Sequence, residues 1–294
     1  MKTAVLTGGT GFLGHWLLKE LVKQDVFVYV IIRKNSLRRE RLHQIQGIEV
    51  IELDMDEIAE LPKHVKTADV FYHLAWEGAR NDFSAQTKNI LCSVNAMQAA
   101  YRLGVKQFIM TGSQAEYGIC REQVDENHPL NPNNAYGACK LACYRVLKVL
   151  SEQLTLSLTW VRVFSVYGEG DNPNTLISYL FRCLQANEIP RLTQGTQRWD
   201  FLYAGDAAAA LYLLGEKSKY GLFNLAYGES RPLKDFIVEA RNLINPHVEL
   251  DFGIQVNSDM VELRANVDKI KNELGWEPFV DFSEGILRMK GCLK

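Results

Sequence analysis

Tyr136 and Lys140 stand four positions apart in Tyr-Gly-Ala-Cys-Lys, directly after the turn-rich stretch Pro129-Leu130-Asn131-Pro132-Asn133-Asn134. On a helix that spacing puts a phenol and an ammonium on one face. A phenol is a poor acid–base group at neutral pH, and an adjacent positive charge lowers its pKa toward the working range. Upstream, the apolar run 107–111 leads into Thr111-Gly112-Ser113-Gln114-Ala115-Glu116-Tyr117-Gly118, so the Ser113 hydroxyl follows the end of a buried strand. Such strand ends face the crevice where ligands bind in doubly wound sheets. A Tyr-x3-Lys alone is common surface decoration, and it gains weight here from the hydroxyl-bearing strand before it. Glu116 reads equally as a substrate contact or as a strand-end surface acid.

A second constellation lies near the N-terminus. Thr7-Gly8-Gly9-Thr10-Gly11-Phe12-Leu13-Gly14 joins the strand-like run 3–7 to the amphipathic stretch 12–24. Gly8, Gly11 and Gly14 suit a tight turn, close approach to a pyrophosphate and close helix–sheet packing. Phe12 and Leu13 open the helix whose N–H groups would meet the phosphates. A plain strand–helix turn is the alternative for an isolated glycine triplet. The second strand runs into Arg33-Lys34-Asn35-Ser36-Leu37-Arg38-Arg39, with no acid before Glu40. An NAD site places an acid there for the ribose hydroxyls. Arg33, with Lys34, Ser36 or Arg38 assisting, suits a 2′-phosphate instead, so NADP is expected ahead of NAD. Asp54, after the third strand, is a candidate for the adenine amine or an ordinary loop acid.

These residues must be positioned by an α/β scaffold. Apolar runs at 3–7, 26–32, 48–52, 69–74, 107–111 and 158–163 alternate with amphipathic stretches such as 12–24, 86–103 and 136–153. That alternation predicts a doubly wound parallel sheet covered on both faces, a Rossmann arrangement. After Tyr167-Gly168 the pattern loosens into helices at 174–187 and 233–244, a strand at 222–227 and loops. The expected division is a cofactor domain over 1–166, with 205–227 folding back onto it, and a smaller substrate lobe over 167–294. The net charge of −2 gives no basic surplus for nucleic acid. No apolar run approaches the ~20 residues that span a bilayer. The six cysteines lack the paired spacing of a metal site and read as reduced, packed thiols, which points to the cytoplasm.

Taken in order, these motifs resemble the extended short-chain dehydrogenase/reductases, the NAD-dependent epimerase/dehydratase family. The resemblance runs from the glycine motif through Asp69-Val70-Phe71-Tyr72-His73-Leu74-Ala75, Asn89, the Ser113 strand and Tyr136/Lys140. It continues through Arg162-Val163-Phe164-Ser165-Val166-Tyr167-Gly168, Arg198-Trp199-Asp200-Phe201, Asp206-Ala207-Ala208 and Leu274-Gly275-Trp276-Glu277-Pro278. It implies that Ser113 bonds the substrate oxygen, Tyr136 is the acid/base and Lys140 holds the nicotinamide ribose. Leu74, Ala75 and Asn89 would belong to the cofactor site. Trp76, Gln114, Ser165, Arg198 and Arg264 would meet the substrate, with the arginines on its diphosphate. His73 reads as structural.

The resemblance further implies a nucleotide-sugar substrate and a homodimer formed through 86–103 and 136–153. Departures narrow the reaction. Gln114 and Ala115 stand where the 4,6-dehydratases carry Asp-Glu, and Gln114 also replaces an epimerising Cys. Ser165 replaces a common Asn, and Trp76-Glu77-Gly78 replaces small residues of the sugar pocket. The expected reaction is NADPH-dependent reduction of a 4-keto group on a nucleotide-linked 6-deoxyhexose. The alternative is a 4-epimerase with tightly bound NAD. A third reading, a catalytically silent relative, fits poorly with an intact Ser/Tyr/Lys set.

Overall fold

Seven parallel strands build the central sheet: β1 (Thr3–Thr7), β2 (Phe27–Ile32), β3 (Ile48–Glu52), β4 (Val70–His73), β5 (Gln107–Ser113), β6 (Ser157–Val163) and β7 (Gly221–Leu225). Their order across the sheet is β7-β6-β5-β4-β1-β2-β3. The computed structural model describes residues 1–253 and 261–292, and the Cys292 side chain lies outside the described ones. The inner strands are buried on both faces, which is why they read as continuous apolar runs. At the edge, β3 exposes Glu49 and Glu52, charges that discourage pairing with another chain.

Helix α1 (Phe12–Lys23) lies on one face and α2 (Phe83–Arg102) and α3 (Ala135–Leu154) on the other, each over its own apolar cluster. The direction of winding reverses between β1 and β4, and that switch point opens a crevice at the strands' carboxyl ends. The register there pairs Thr7 with His73.

Two boundaries differ instructively from expectation. α2 starts at Phe83 because Asp82 caps it, accepting the Ala85 N–H at 3.1 Å. β5 runs through Gly112 to Ser113, where the glycine had marked a strand end. A Cβ at Gly112 would stand 2.1 Å from Trp160 Nε1, so the glycine serves close approach inside the sheet.

Beyond residue 166 the chain divides its attachments. Helix α4 (Leu176–Gln185) is followed by α5 (Ala204–Glu216), which packs on α1, and β7 extends the sheet beside β6. α4, α6 (Leu233–Ile244) and α8 (Phe282–Cys292), which follows α7 (Asp268–Leu274), surround a separate cluster that includes Phe181, Phe201, Phe236 and Phe282. Among the described residues no helix is long and apolar enough to cross a membrane. Cys92, Cys120, Cys139, Cys143 and Cys183 are free thiols.

Candidate active site

The glycine loop fits a dinucleotide. Gly8 has φ +78°, and a Cβ there would meet the backbone of Leu74 and Ala75 at 2.8 Å. A Cβ on Gly14 would stand 2.1 Å from the Gly8 carbonyl oxygen. Loop, strand end and helix therefore touch backbone to backbone, as a phosphate cradle requires. Gly11 caps α1, and the first intrahelical bond runs from His15 N–H to the Gly11 carbonyl at 3.1 Å. The Phe12 and Leu13 N–H groups precede it and remain donors for phosphate. A cleft of about 370 Å³ opens here, lined by Gly8, Gly11, Arg33, Arg38, Leu74 and Asn89 among others, with Ala75 and Trp76 at its inner end. Phe12 and Leu13 stand outside that lining, and Leu13 packs into the core.

The basic turn is less bare than it reads in sequence. Arg33 pairs with Glu77 at 3.5 Å and Lys34 with Glu57 at 2.6 Å. Asp54 accepts the Lys34 backbone N–H at 3.2 Å. Its side chain thus fastens the turn after β2. Arg38 lines the cleft and has no acidic partner among the described residues. Arg41, which sequence reasoning passed over, donates to the Thr10 carbonyl beside the glycine loop at 3.4 Å.

At the other end, Ser113, Tyr136 and Lys140 come together. The Ser113 hydroxyl stands beside the Tyr136 phenol and accepts the Ala115 N–H at 3.1 Å. Burial pushes the phenol up, while Ser113 and Arg80 pull it down. The Arg80 guanidinium stands 5.4 Å from the Tyr136 ring, and the Arg80 carbonyl accepts the Tyr136 N–H at 3.0 Å. Nothing in the spacing of Arg80 pointed to this contact. Lys140 is buried, donates to the Thr111 carbonyl at 2.8 Å, and is brought down by that burial to about 8.

Glu116 is neither a surface acid nor a substrate contact. It is fully buried beneath Ser113, accepting from the Ser113 N–H at 2.8 Å, Trp160 Nε1 at 3.0 Å and Arg162 Nε at 2.8 Å. Its partner Arg162 is equally buried and also donates to the Tyr117 hydroxyl at 2.9 Å.

His73 links the two ends. Its Nδ1 lies 2.8 Å from Thr7 Oγ1 and its Nε2 3.1 Å from Ser93 Oγ. Ser93 donates its proton to the Asn89 carbonyl at 2.7 Å, so Nε2 must carry the imidazole proton and Nδ1 must accept from Thr7. Burial brings this histidine down to about 3, which keeps it neutral. Asn89 is a loop anchor as well as a cleft residue: its side chain bonds both the N–H and the carbonyl of Glu77.

A second cavity, about 580 Å³, lies in the C-terminal part of the chain, lined by Tyr179, Arg182, Arg191, Gln197 and Trp199 among others. The Trp199 indole N–H is buried without a partner among the described residues. Arg198 stands outside this lining, where the sequence reading expected it to meet a ligand. Its guanidinium is bonded to the carbonyl and hydroxyl of Ser230. Adjacent residues in an extended segment face opposite ways, so turning Trp199 inward turns Arg198 out. Arg264 donates to the Arg121 carbonyl at 3.0 Å and braces the loop after β5. Gln114 is half-buried beside Ser113, and Ser165 is half-buried with its carbonyl accepting the Leu202 N–H at 2.9 Å.

Comparison with known proteins accords with this geometry. The chain is 25% identical to dTDP-6-deoxy-L-talose 4-dehydrogenase (NAD(+)) of Aggregatibacter actinomycetemcomitans, over 82% of this chain and 92% of that one. Its fold superposes on UDP-glucose 4-epimerase of Thermotoga maritima, solved with UDP-glucose, with TM-score 0.89, 20% identity, and 99% and 100% of the two chains covered. UDP-glucuronic acid 4-epimerase of Bacillus cereus, in complex with UDP-glucuronic acid and NAD, gives TM-score 0.86, 24% identity, and 99% and 98% coverage. The sequence pattern of a known family runs continuously through residues 4–226, from β1 through the glycine loop and Ser113/Tyr136/Lys140 to the segment after β7, and the chain belongs to that family, the NAD dependent epimerase/dehydratase family.

Proposed function

We propose that this protein is a nucleotide-sugar 4-epimerase that retains a nicotinamide dinucleotide in the glycine-loop cleft. The observation that carries this reading is the grouping of Ser113, Tyr136 and Lys140 without a second acid–base pair beside it. Gln114 and Ala115 follow the serine, and Glu116 is engaged by Arg162. Oxidation and re-reduction of one carbon need a single proton-transfer group, whereas elimination of water needs an acid and a base of its own. All three of the relatives are named for chemistry at C4, and two of them, the UDP-glucose and UDP-glucuronic acid 4-epimerases, support the epimerase over the ketoreductase that the basic turn suggests on its own.

When bound, the dinucleotide supplies acceptance and return of a hydride at the sugar C4. Ser113 Oγ holds the C4 oxygen. Tyr136 takes the hydroxyl proton as the carbonyl forms and gives it back when C4 is reduced from its other face. Ser113 and Arg80 favour the ionised form of the phenol against the burial that opposes it, and the Lys140 ammonium stands 5.8 Å from the Tyr136 ring. The cavity beside Trp199 suits the nucleoside diphosphate. Tyr179 and Trp199 offer ring faces, Arg182 and Arg191 offer charge for phosphate, and the indole N–H, unpartnered among the described residues, offers a donor.

One observation favours a second reading, an NADPH-dependent 4-ketoreductase: Arg38 lines the adenosine end of the cleft with no acidic partner among the described residues. Denaturing the purified protein and identifying the released nucleotide separates the two. The epimerase reading expects retained NAD and interconversion of C4-epimeric UDP-hexoses with no added cofactor. An empty site that oxidises NADPH stoichiometrically with a 4-keto sugar nucleotide would replace it with the reductase.

A further inference from the structure

Lys140 is 3% exposed and has no ion-pair partner among the described residues. Its ammonium has three donors to place. One goes to the Thr111 carbonyl at 2.8 Å. A second direction is closed by an aromatic face, because Nζ stands 3.7 Å from the centroid of the Trp76 ring.

That ring is not free to turn away. Trp76 Nε1 donates to Gln86 Oε1 at 2.6 Å. Gln86 is itself fully buried, its amide bonded to the carbonyls of Glu77, Gly78 and Ala79. The indole also meets the Tyr136 ring edge-on, centroids 6.3 Å apart at 86°. Trp76 is thus fixed by its own N–H, presents a face to Lys140, and lines the cofactor cleft as well.

We infer that Trp76 is a positioning residue whose π face holds the Lys140 ammonium charged and aimed beside Tyr136, leaving one N–H for a ligand oxygen. The inference deepens the reading of Ser113, Tyr136 and Lys140 as the acid–base set and rests on it for its kinetic consequences. A desolvated ammonium over an indole is held by the ring's negative face. The other titratable groups facing Lys140 are Tyr136 and Cys143 on α3, Glu116 from the turn after β5 and the neutral His73 on β4. Glu116 also favours the charged ammonium, but its oxygens are taken by Arg162, Trp160 and the Ser113 N–H, and among the described residues it makes no ion pair with Lys140.

The sign of the effect follows. The ring favours the charged form, so its removal lets the ammonium lose its proton at lower pH. Trp76→Leu, which keeps apolar bulk, should move the alkaline fall of kcat downward by about one pH unit, a displacement read from the shape of the profile whatever the variant's activity at its plateau. Trp76→Phe, which keeps a smaller ring face, should lie between Leu and wild type and serves if the Leu variant does not fold.

A measurement independent of turnover completes the test. In protein labelled with 5-fluorotryptophan, the Trp76 ¹⁹F resonance, assigned through Trp76→Phe, should titrate with Lys140 and lose that titration in Lys140→Met. Identical pH profiles for the Leu, Phe and wild-type proteins, or a Trp76 resonance that ignores the lysine's charge, overturn the inference. Absence of turnover on every nucleotide sugar would remove the proposed reaction and leave the fluorine titration to judge this contact alone.

Discussion

The two ends of the crevice are built on opposite principles. At the chemical end, Ser113 rests on Glu116 and Arg162, a charge pair with no exposed surface, and each member has further hydrogen bonds. At the adenosine end, Arg33 and Lys34 meet Glu77 and Glu57 in the open, with each side chain at least 41% exposed. A buried pair is costly to form and costly to break, because removing one partner strands the other. An exposed pair is screened by solvent and exchangeable. The geometry proposed for acid–base chemistry is therefore held rigidly, while the basic turn proposed to select the cofactor is made of side chains that change at little structural cost.

Substitutions at the two ends should break or sharpen this contrast by very different amounts. The largest effect belongs to Tyr136→Phe, which should lower kcat by roughly two to four orders of magnitude, the range for a general acid–base group. Cofactor titration should show binding nearly intact, since the ring and its contacts remain. Next comes Glu116→Leu, which strands the fully buried Arg162. It should destabilise the fold by about 3–5 kcal/mol in denaturant titration. A loss near zero would mean that water reaches this pair and that the contrast is overstated.

Asp200 sharpens the contrast within the buried groups. It too is fully buried, but among the described residues it accepts from the N–H groups of Tyr227 and Gly228, at 2.9 and 2.7 Å, where Glu116 has a guanidinium. Burial pushes its carboxyl up to about 7. Between the ordinary carboxylate range and pH ~7 the unfolded chain binds fewer protons at this site than the native one, so stability should fall as pH rises through that window. Asp200→Asn should flatten that slope in melts taken across it, and an unchanged slope would assign it to other groups. The smallest effect is expected at the open end. Arg38→Ala should change the ratio of NADPH to NADH affinity by about tenfold or less, with the fold unaltered.

The sequence exposes the groups whose role depends on local spacing. The glycines at 8, 11 and 14, the Tyr136/Lys140 pair and the hydroxyl of Ser113 each sit within one strand–turn–helix step, and simple periodicity places them. Contacts made across the chain are not written that way. Glu116 follows the serine like a surface acid, and its partner Arg162 lies 46 residues on. The acids that meet Arg33 and Lys34 come from separate segments, Glu77 from the loop after β4 and Glu57 from the 3-10 helix after β3. Arg198 and Trp199 differ only in which way an extended segment faces, a parity that short strands leave unmarked, so the sequence marks the charged residue while the tryptophan is the one that lines the cavity. Arg80 reaches Tyr136 only because the loop after β4 folds back on α3.

The central claim is that the Ser113–Tyr136–Lys140 set runs a reversible oxidation at C4 with the hydride kept inside the protein. A UDP-hexose carrying deuterium at C4 tests this most directly. The account predicts that the C4 epimer forms without added cofactor, with the deuterium still on C4. Loss of the label to solvent, or its appearance on free NADP(H) added to the reaction, would contradict the claim.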